Sequence, residues 1–429
     1  MSPSVARALA SSSSSSSSSR VRLMTIMLRG GGEKRRNFSS SVATQSEKIK
    51  IVECPRDAMQ GLPDFVETED KVRYINQLLR VGYDTVDFGS FVSAPAVPQM
   101  RDTEDVLGML DLSSTSSELL AIVCNPRGAK DGSKFERIKY LGFPLSVSET
   151  FQQKNTRRDI PAAFDTLRTI SDVCKDSGQE LVTYISMGFG NPFGDPYSEE
   201  IVADFVEQVA DLDCSIISLS DTVGCSNPEL IARLFERLIP AYPDIEFGAH
   251  FHSTSDTANE KIRAALDAGC RRFDGAIGGM GGCPFAASAL VGNVPTEAII
   301  SEVRRAGFSL GEGFDDGAFI DAQAIKHELF GVAVSELILS CYLKDDDAFR
   351  DLCKTHFDAA DSDSSGYLDV AQFRSSVLQV LKEMGEDEPS PDRIERIFDE
   401  TDADNDGKIA FGEYVVAARA KLEKRMSSL

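Results

Sequence analysis

From residue 49 onward the chain alternates between short apolar runs and longer stretches whose apolar positions recur every three or four residues. The runs at 49–54, 85–89, 120–124, 143–148, 181–187, 215–219, 246–252 and 272–277 read as strands. Between them, 71–81, 163–175, 199–210, 228–242 and 259–268 read as amphipathic helices. Within 199–210, Ile201, Val202, Phe205 and Val209 share one helical face, with Asp204 and Glu207 off it. Asn227-Pro228 supplies an N-cap followed by proline at the first helical position. Eight strand–helix alternations in roughly 250 residues predict a (β/α)8 barrel, the TIM barrel. An open doubly wound sheet is the competitor, but no Gly-x-Gly-x-x-Gly turn follows the first strand. In a barrel the chemistry gathers at the C-terminal strand ends.

The alternation stops on both sides. Residues 1–46 hold an unbroken serine run from Ser11 to Ser19, six arginines and no acid before Glu33. That bias, with Arg36-Asn37-Phe38-Ser39-Ser40, reads as a mitochondrial matrix transit peptide, with a plastid address or an unaddressed disordered tail as competitors. Past residue 344 the composition turns acidic and two twelve-residue loops appear. The second, Asp402-Ala403-Asp404-Asn405-Asp406-Gly407-Lys408-Ile409-Ala410-Phe411-Gly412-Glu413, has acids at positions 1, 3 and 5, glycine at 6 and glutamate at 12. This is the EF-hand pattern, with Asp402, Asp404, Asp406, Lys408 and Glu413 as the Ca²⁺ positions. The first loop offers Asp361, Asp363, Ser365, Tyr367 and Gln372. Glutamine at position 12 lacks the bidentate carboxylate, so weaker calcium binding is expected there. Leu368 and Ile409 are expected to pair the loops. The apolar segment 329–342 reads as a helix joining the two units. The expected division is 1–46 transit segment, 47–310 barrel, 311–343 helical linker and 344–429 a small all-α EF-hand pair.

A net charge of −23 argues against a nucleic-acid binder and suits a protein that holds hard cations. Nine cysteines without paired spacing do not form a disulfide framework. No apolar run reaches the roughly 18 to 20 residues of a membrane span.

Polar residues collect where barrel strands should end: Cys54 to Gln60 after the first, Asp87 and Ser90 at the second, Ser218 to Gly224 at the sixth. Two of only four histidines, His250 and His252, lie on the seventh strand, one residue apart. Residues i and i+2 of a strand face the same side, so the pair makes half a metal site or two core imidazoles. A glycine-rich loop, Gly278 to Pro284, and then Asn293 follow the eighth strand. One carboxylate, two imidazoles and one amide oxygen suit Mg²⁺ or Mn²⁺ with open positions for a substrate.

The residues from 48 to 308 resemble hydroxymethylglutaryl-CoA lyase, within the wider barrel group of metal-dependent lyases and acyl-CoA condensing synthases. The resemblance rests on Pro55-Arg56-Asp57 with Gln60, Ser90-Phe91-Val92-Ser93, Val97-Pro98-Gln99-Met100 and Ser148-Glu149. It rests also on Ser220-Asp221-Thr222-Val223-Gly224, His250-Phe251-His252, Gly281-Gly282-Cys283-Pro284 and Gly292-Asn293. It implies that Asp57, His250, His252 and Asn293 hold the metal, that Arg56 faces the thioester carbonyl, and that Cys283 rides a mobile catalytic loop. The expected catalytic set is Arg56, Asp57, Asp87, Asp221, His250 and Cys283, with Gln60, Ser90 and Ser148 at an acyl-CoA substrate. The implied reaction is retro-Claisen cleavage to acetyl-CoA and acetoacetate, by a homodimer. Asp87 stands where the family carries glutamate. The alternatives are an isopropylmalate- or homocitrate-type condensing synthase, or a calcium-binding protein with a silent barrel.

Overall fold

The structure, a computed structural model, describes residues 47–427 except 63, 255, 282–290, 343–345 and 384–388. The predicted transit segment 1–46 therefore lies outside the described residues. Eight parallel strands form the barrel: β1 Lys50–Glu53, β2 Thr85–Ser90, β3 Glu118–Ile122, β4 Ile138–Ser146, β5 Glu180–Ser186, β6 Ile216–Asp221, β7 Glu246–Ser253 and β8 Arg272–Gly275. Each pairs with its neighbours in sequence, β1 pairs with β8, and the ring is closed. A two-residue strand, β9 Gly292–Asn293, adds antiparallel to β7 and sets Asn293 opposite His252.

The connecting helices are α1 Pro55–Met59, α2 Thr68–Val81, α3 Thr103–Met109, α4 Pro126–Gly132, α5 Glu149–Thr156 and α6 Ile160–Ser177. They continue with α7 Glu199–Ala210, α8 Pro228–Ala241, α9 Ala258–Asp267 and α10 Thr296–Arg305. Asn227 caps α8 as predicted, its Oδ1 accepting the Leu230 N–H at 2.9 Å. Strand alternation separates two apolar layers. Phe247, Ala249 and Phe251 of β7 join the large core between strands and helices, as do Leu119, Ala121 and Val123 at β3. The alternate residues fill the barrel, where Leu120, Ile122, Val182, Tyr184 and Ile216 form an inner cluster. His250 and His252 belong to that inner set. The fourth strand differs from the expected 143–148: it starts at Ile138 and stops at Ser146, because Ser148 caps α5.

Beyond the barrel, α11 Asp316–Tyr342 begins thirteen residues earlier than the helix expected at 329 and packs against α2. The helices α12 Asp346–Ala360, α13 Val370–Glu383, α14 Pro391–Thr401 and α15 Phe411–Ser427 make the EF-hand pair. The loops meet through β10 Tyr367–Leu368 and β11 Ile409–Ala410, with Leu368 opposite Ile409 as expected. Phe349, Phe357, Phe373 and Phe398 fill its small core. No described helix is long and apolar enough to cross a membrane.

Candidate active site

The cluster at the barrel mouth starts from the parity of β7. Potential ligand atoms of Asp57, His250 and His252 lie within 4.8 Å of one another. Asp57 comes from α1, a single helical turn opened by Pro55 directly after β1, so its carboxylate is delivered at a strand's C-terminal end. Asn293 arrives through the β7–β9 pairing, and its Nδ2 donates to Asp57 Oδ2 at 2.7 Å and to the Met280 carbonyl at 3.0 Å. The amide oxygen remains as its free acceptor.

The imidazoles are set for ligation in different ways. His250 Nδ1 lies 3.1 Å from Asp274 Oδ2 on the adjacent strand, an arrangement that orients the ring and leaves Nε2 as its other nitrogen. Its pKa is raised: burial opposes the charge, but the bond to Asp274 and the charges of Asp274 and Asp57 together outweigh it. His252 is buried, its ring bonded to the Thr222 backbone, while its Nδ1 has no hydrogen-bond partner among the described residues. A buried imidazole nitrogen without a partner is costly unless something absent from the protein satisfies it. Burial and the neighbouring His250 push its pKa down to about 4, so it is neutral at pH 7. Burial opposes charge on Asp57 as well, yet Arg56 and the two histidines hold it down to about 2. An ionised carboxylate, two imidazoles and an amide oxygen at one point fit a hard divalent cation.

Arg56 sits beside this set. Its Nε and Nη2 donate to Asp87 at 3.0 and 2.6 Å, and Nη1 to Asp57 at 3.1 Å and Gln60 at 3.0 Å. Asp87 is buried, which lifts its pKa to about 6 against the pull of Arg56. Gln60 also donates to Asp57, so its observed contacts brace ligand and arginine.

Three of the expected site residues engage neighbouring groups of the fold. Asp221, expected in the catalytic set, is a buried structural hub. It accepts from the backbone of Cys225 and Ser226, from Ser226 Oγ, and from Lys261 Nζ at 2.8 Å. Ser148, expected at the substrate, is fully buried at the α5 N-cap, where its Oγ accepts the Phe151 N–H and donates to Asp195. Ser90, likewise buried, uses its Oγ to accept the Val92 N–H within the turn after β2. All three sit at strand ends where serine and aspartate serve turns and caps as readily as substrates. Cys283 lies outside the described residues. Asp274 was not singled out, although inward alternation from Arg272 on β8 marks it.

At the EF-hand, Asp402, Asp404 and Glu413 converge. In the first loop Gln372 Oε1 accepts the Asp369 N–H at 3.0 Å, just as Glu413 Oε2 accepts that of Ala410 at 2.9 Å. Both loops close the same turn through position 12, one with an amide and one with a carboxylate.

A closed parallel barrel with this donor set at its mouth defines a divalent-metal-dependent barrel of lyase or aldolase type. The chain belongs to the HMGL-like family, whose model matches residues 48–325, and an EF-hand domain pair matches 349–419. It is 33% identical over 258 residues to hydroxymethylglutaryl-CoA lyase of Bacillus subtilis, covering 59% of this chain and 84% of that protein. It is 31% identical over 286 residues to (R)-citramalyl-CoA lyase of Chloroflexus aurantiacus, covering 64% and 89%. Among solved structures, an HMG-CoA lyase of Acinetobacter baumannii in complex with coenzyme A and 3-methylmalate superposes with a TM-score of 0.61. That match has 30% identity and covers 66% of this chain and 92% of the other.

Proposed function

We propose that this protein cleaves 3-hydroxy-3-methylglutaryl-CoA to acetyl-CoA and acetoacetate. The observation that carries the reading is the convergence of Asp57, His250 and His252 at the barrel mouth, with Asn293 joined to Asp57 and Arg56 alongside. Asp57, His250, His252 and Asn293 would hold Mg²⁺ or Mn²⁺. A bound cation of that kind supplies Lewis acidity that lowers the pKa of the substrate's 3-hydroxyl.

The bond between C2 and C3 breaks as the hydroxyl proton passes to a base of the cluster, Asp57 or one of the histidines. Its electron pair passes to C2 as a thioester enolate, and C3 becomes the ketone. Arg56, permanently charged and anchored by Asp87, is placed to donate to the thioester oxygen as negative charge grows there. Asp274 orients the His250 ring and so keeps one ring nitrogen directed into the cluster. Cys283 is the proposed proton donor to the enolate carbon.

The similarity to an (R)-citramalyl-CoA lyase supports that thioester as the second substrate to test for the same chemistry. The deciding experiment is a coupled assay of the purified full chain, with and without Mg²⁺ or Mn²⁺, on each thioester. Acetoacetate from the first substrate supports the reading. Cleavage of citramalyl-CoA alone moves the substrate, and release of free CoA from acetyl-CoA plus a 2-oxo acid replaces the lyase with a condensing synthase. The composition of residues 1–46 supports delivery to the mitochondrial matrix. Fusing them to a fluorescent protein tests that directly, and diffuse cytosolic signal would refute it.

A further inference from the structure

A single helix joins the barrel to the EF-hand pair, and its barrel end touches the root of the glycine-rich segment. Helix α11 is held on α2 by Tyr74 and Phe330, edge-on at 5.3 Å, and by paired hydrogen bonds from Arg73 to Glu328. Nearby, Gln323 Nε2 donates to Glu297 Oε1 at 2.8 Å. Glu297 in turn accepts the Gly278 N–H through both oxygens, at 3.1 and 2.9 Å. Lys326, three residues beyond Gln323, lies over the same glycine: a Cβ there would meet its Nζ at 2.8 Å.

From Gly278 the packing is unbroken to the ligand cluster. Gly278, Gly279 and Gly281 all have positive φ. A Cβ at Gly279 would meet the Asn293 carbonyl at 3.0 Å, and one at Gly281 would meet the Asp57 carbonyl at 2.6 Å and Asn293 Nδ2 at 3.0 Å. Close packing of this kind transmits displacement rather than absorbing it. The contacts thus run from α11 through the glycine segment to two residues of the ligand set. At its far end α11 runs to Tyr342, and α12, the first EF-hand helix, starts at Asp346. Twenty-seven helical residues make a strut of roughly 40 Å. Calcium in sensor EF-hands changes the angle between the flanking helices.

We infer that α11 is a coupling strut: calcium at Asp402–Glu413 and acyl-CoA at the barrel mouth alter each other's binding through Gln323, Lys326 and Glu297 to the Gly278–Gly281 segment. Gln323 and Lys326 are positioning residues, since neither touches the ligand cluster. The inference rests on the lyase reading for the choice of acyl-CoA as probe. Coupling of two binding sites is reciprocal, so calcium affinity must change when the barrel is loaded.

The test uses the full chain at one fixed Mg²⁺ concentration, with calcium affinity measured calorimetrically in the presence and absence of acetyl-CoA. The expected result is a shift of about fivefold or more, the lower range of allosteric coupling. A Gln323→Ala, Lys326→Ala double variant should bind calcium as the parent does and lose the shift. Hydrogen exchange of amides 276–281 is the second readout: calcium should change it in the parent and not in Glu413→Gln. Exchange indifferent to calcium in the parent overturns the strut, as does a calcium response that survives in the double variant. Neither readout needs turnover. A protein that cleaves neither thioester yet shows calcium-dependent exchange keeps the strut and loses the lyase; one that cleaves and shows no such exchange does the reverse.

Discussion

Lys261→Met separates a structural Asp221 from a catalytic one. Lys261 rises from α9 with its side chain 1% exposed, and its ammonium donates to Asp221 at 2.8 Å, the Gly224 carbonyl at 2.9 Å and the His252 carbonyl at 3.1 Å. Methionine fills nearly the same volume, so the packing cost is small and the loss is electrostatic. Removing one member of a buried ion pair costs roughly 3 to 5 kcal/mol, because the remaining charge stays buried. Asp221 keeps three other donors, from Cys225 and Ser226, which places the cost at the lower end, about 3 kcal/mol. For a domain of this size that lowers the melting temperature by about 6 to 12 °C. Because the His252 carbonyl also loses a donor, Mn²⁺ affinity should fall by about tenfold, as for groups one step removed from the ligands. Thermal unfolding followed by far-ultraviolet circular dichroism and Mn²⁺ titration calorimetry read the two effects. An unchanged melting temperature together with abolished turnover would refute the structural assignment and return Asp221 to the chemistry.

Glu53 gives a pH prediction. Burial raises its carboxyl to about 8, against hydrogen bonds from Thr296 and the Ile277 N–H. Between pH 4.5 and 8 the folded state holds a proton that the unfolded state has released, so this group lowers stability as pH rises through that window, by a few kcal/mol. Glu53→Gln should flatten that slope in urea denaturation and stabilise the protein at pH 8; an unaltered slope counts against the buried neutral acid. Asp274→Asn should weaken Mn²⁺ binding by about 10- to 100-fold, since it orients His250 without ligating; equal affinity by calorimetry would place Asp274 outside the support of the site. Gln372→Glu restores the missing carboxylate of the first EF-hand loop, whose turn already matches the second. Calcium titration should show that loop tightening, and no change would mean that charge is not what it lacks.

Two kinds of information were separable in this chain. The sequence by itself determined everything that depends on short-range period or spacing. Alternating runs marked the eight strands, the one-residue gap between His250 and His252 put both imidazoles on one face, and the twelve-residue loops carried the calcium pattern at fixed offsets. Such features are set by backbone geometry within a dozen residues, so they survive without knowledge of the fold. Tertiary structure decided what depends on barrel closure and register. Asp57 and Asn293 stand 236 positions apart in sequence and meet through β7–β9 pairing. Asp274 reaches His250 because β8 lies beside β7, and Lys261 reaches Asp221 because α9 packs on β7, which pairs with β6. Ser148 and Asp221 are engaged in a cap and a turn, which use the same polar side chains as active sites. Which partner such a residue finds is a three-dimensional matter. The docking of α11 on Gly278 is another such case: the apolar pattern marked a helix from residue 329, while the contacts at Gln323 and Lys326 lie in a more polar turn that only packing reveals.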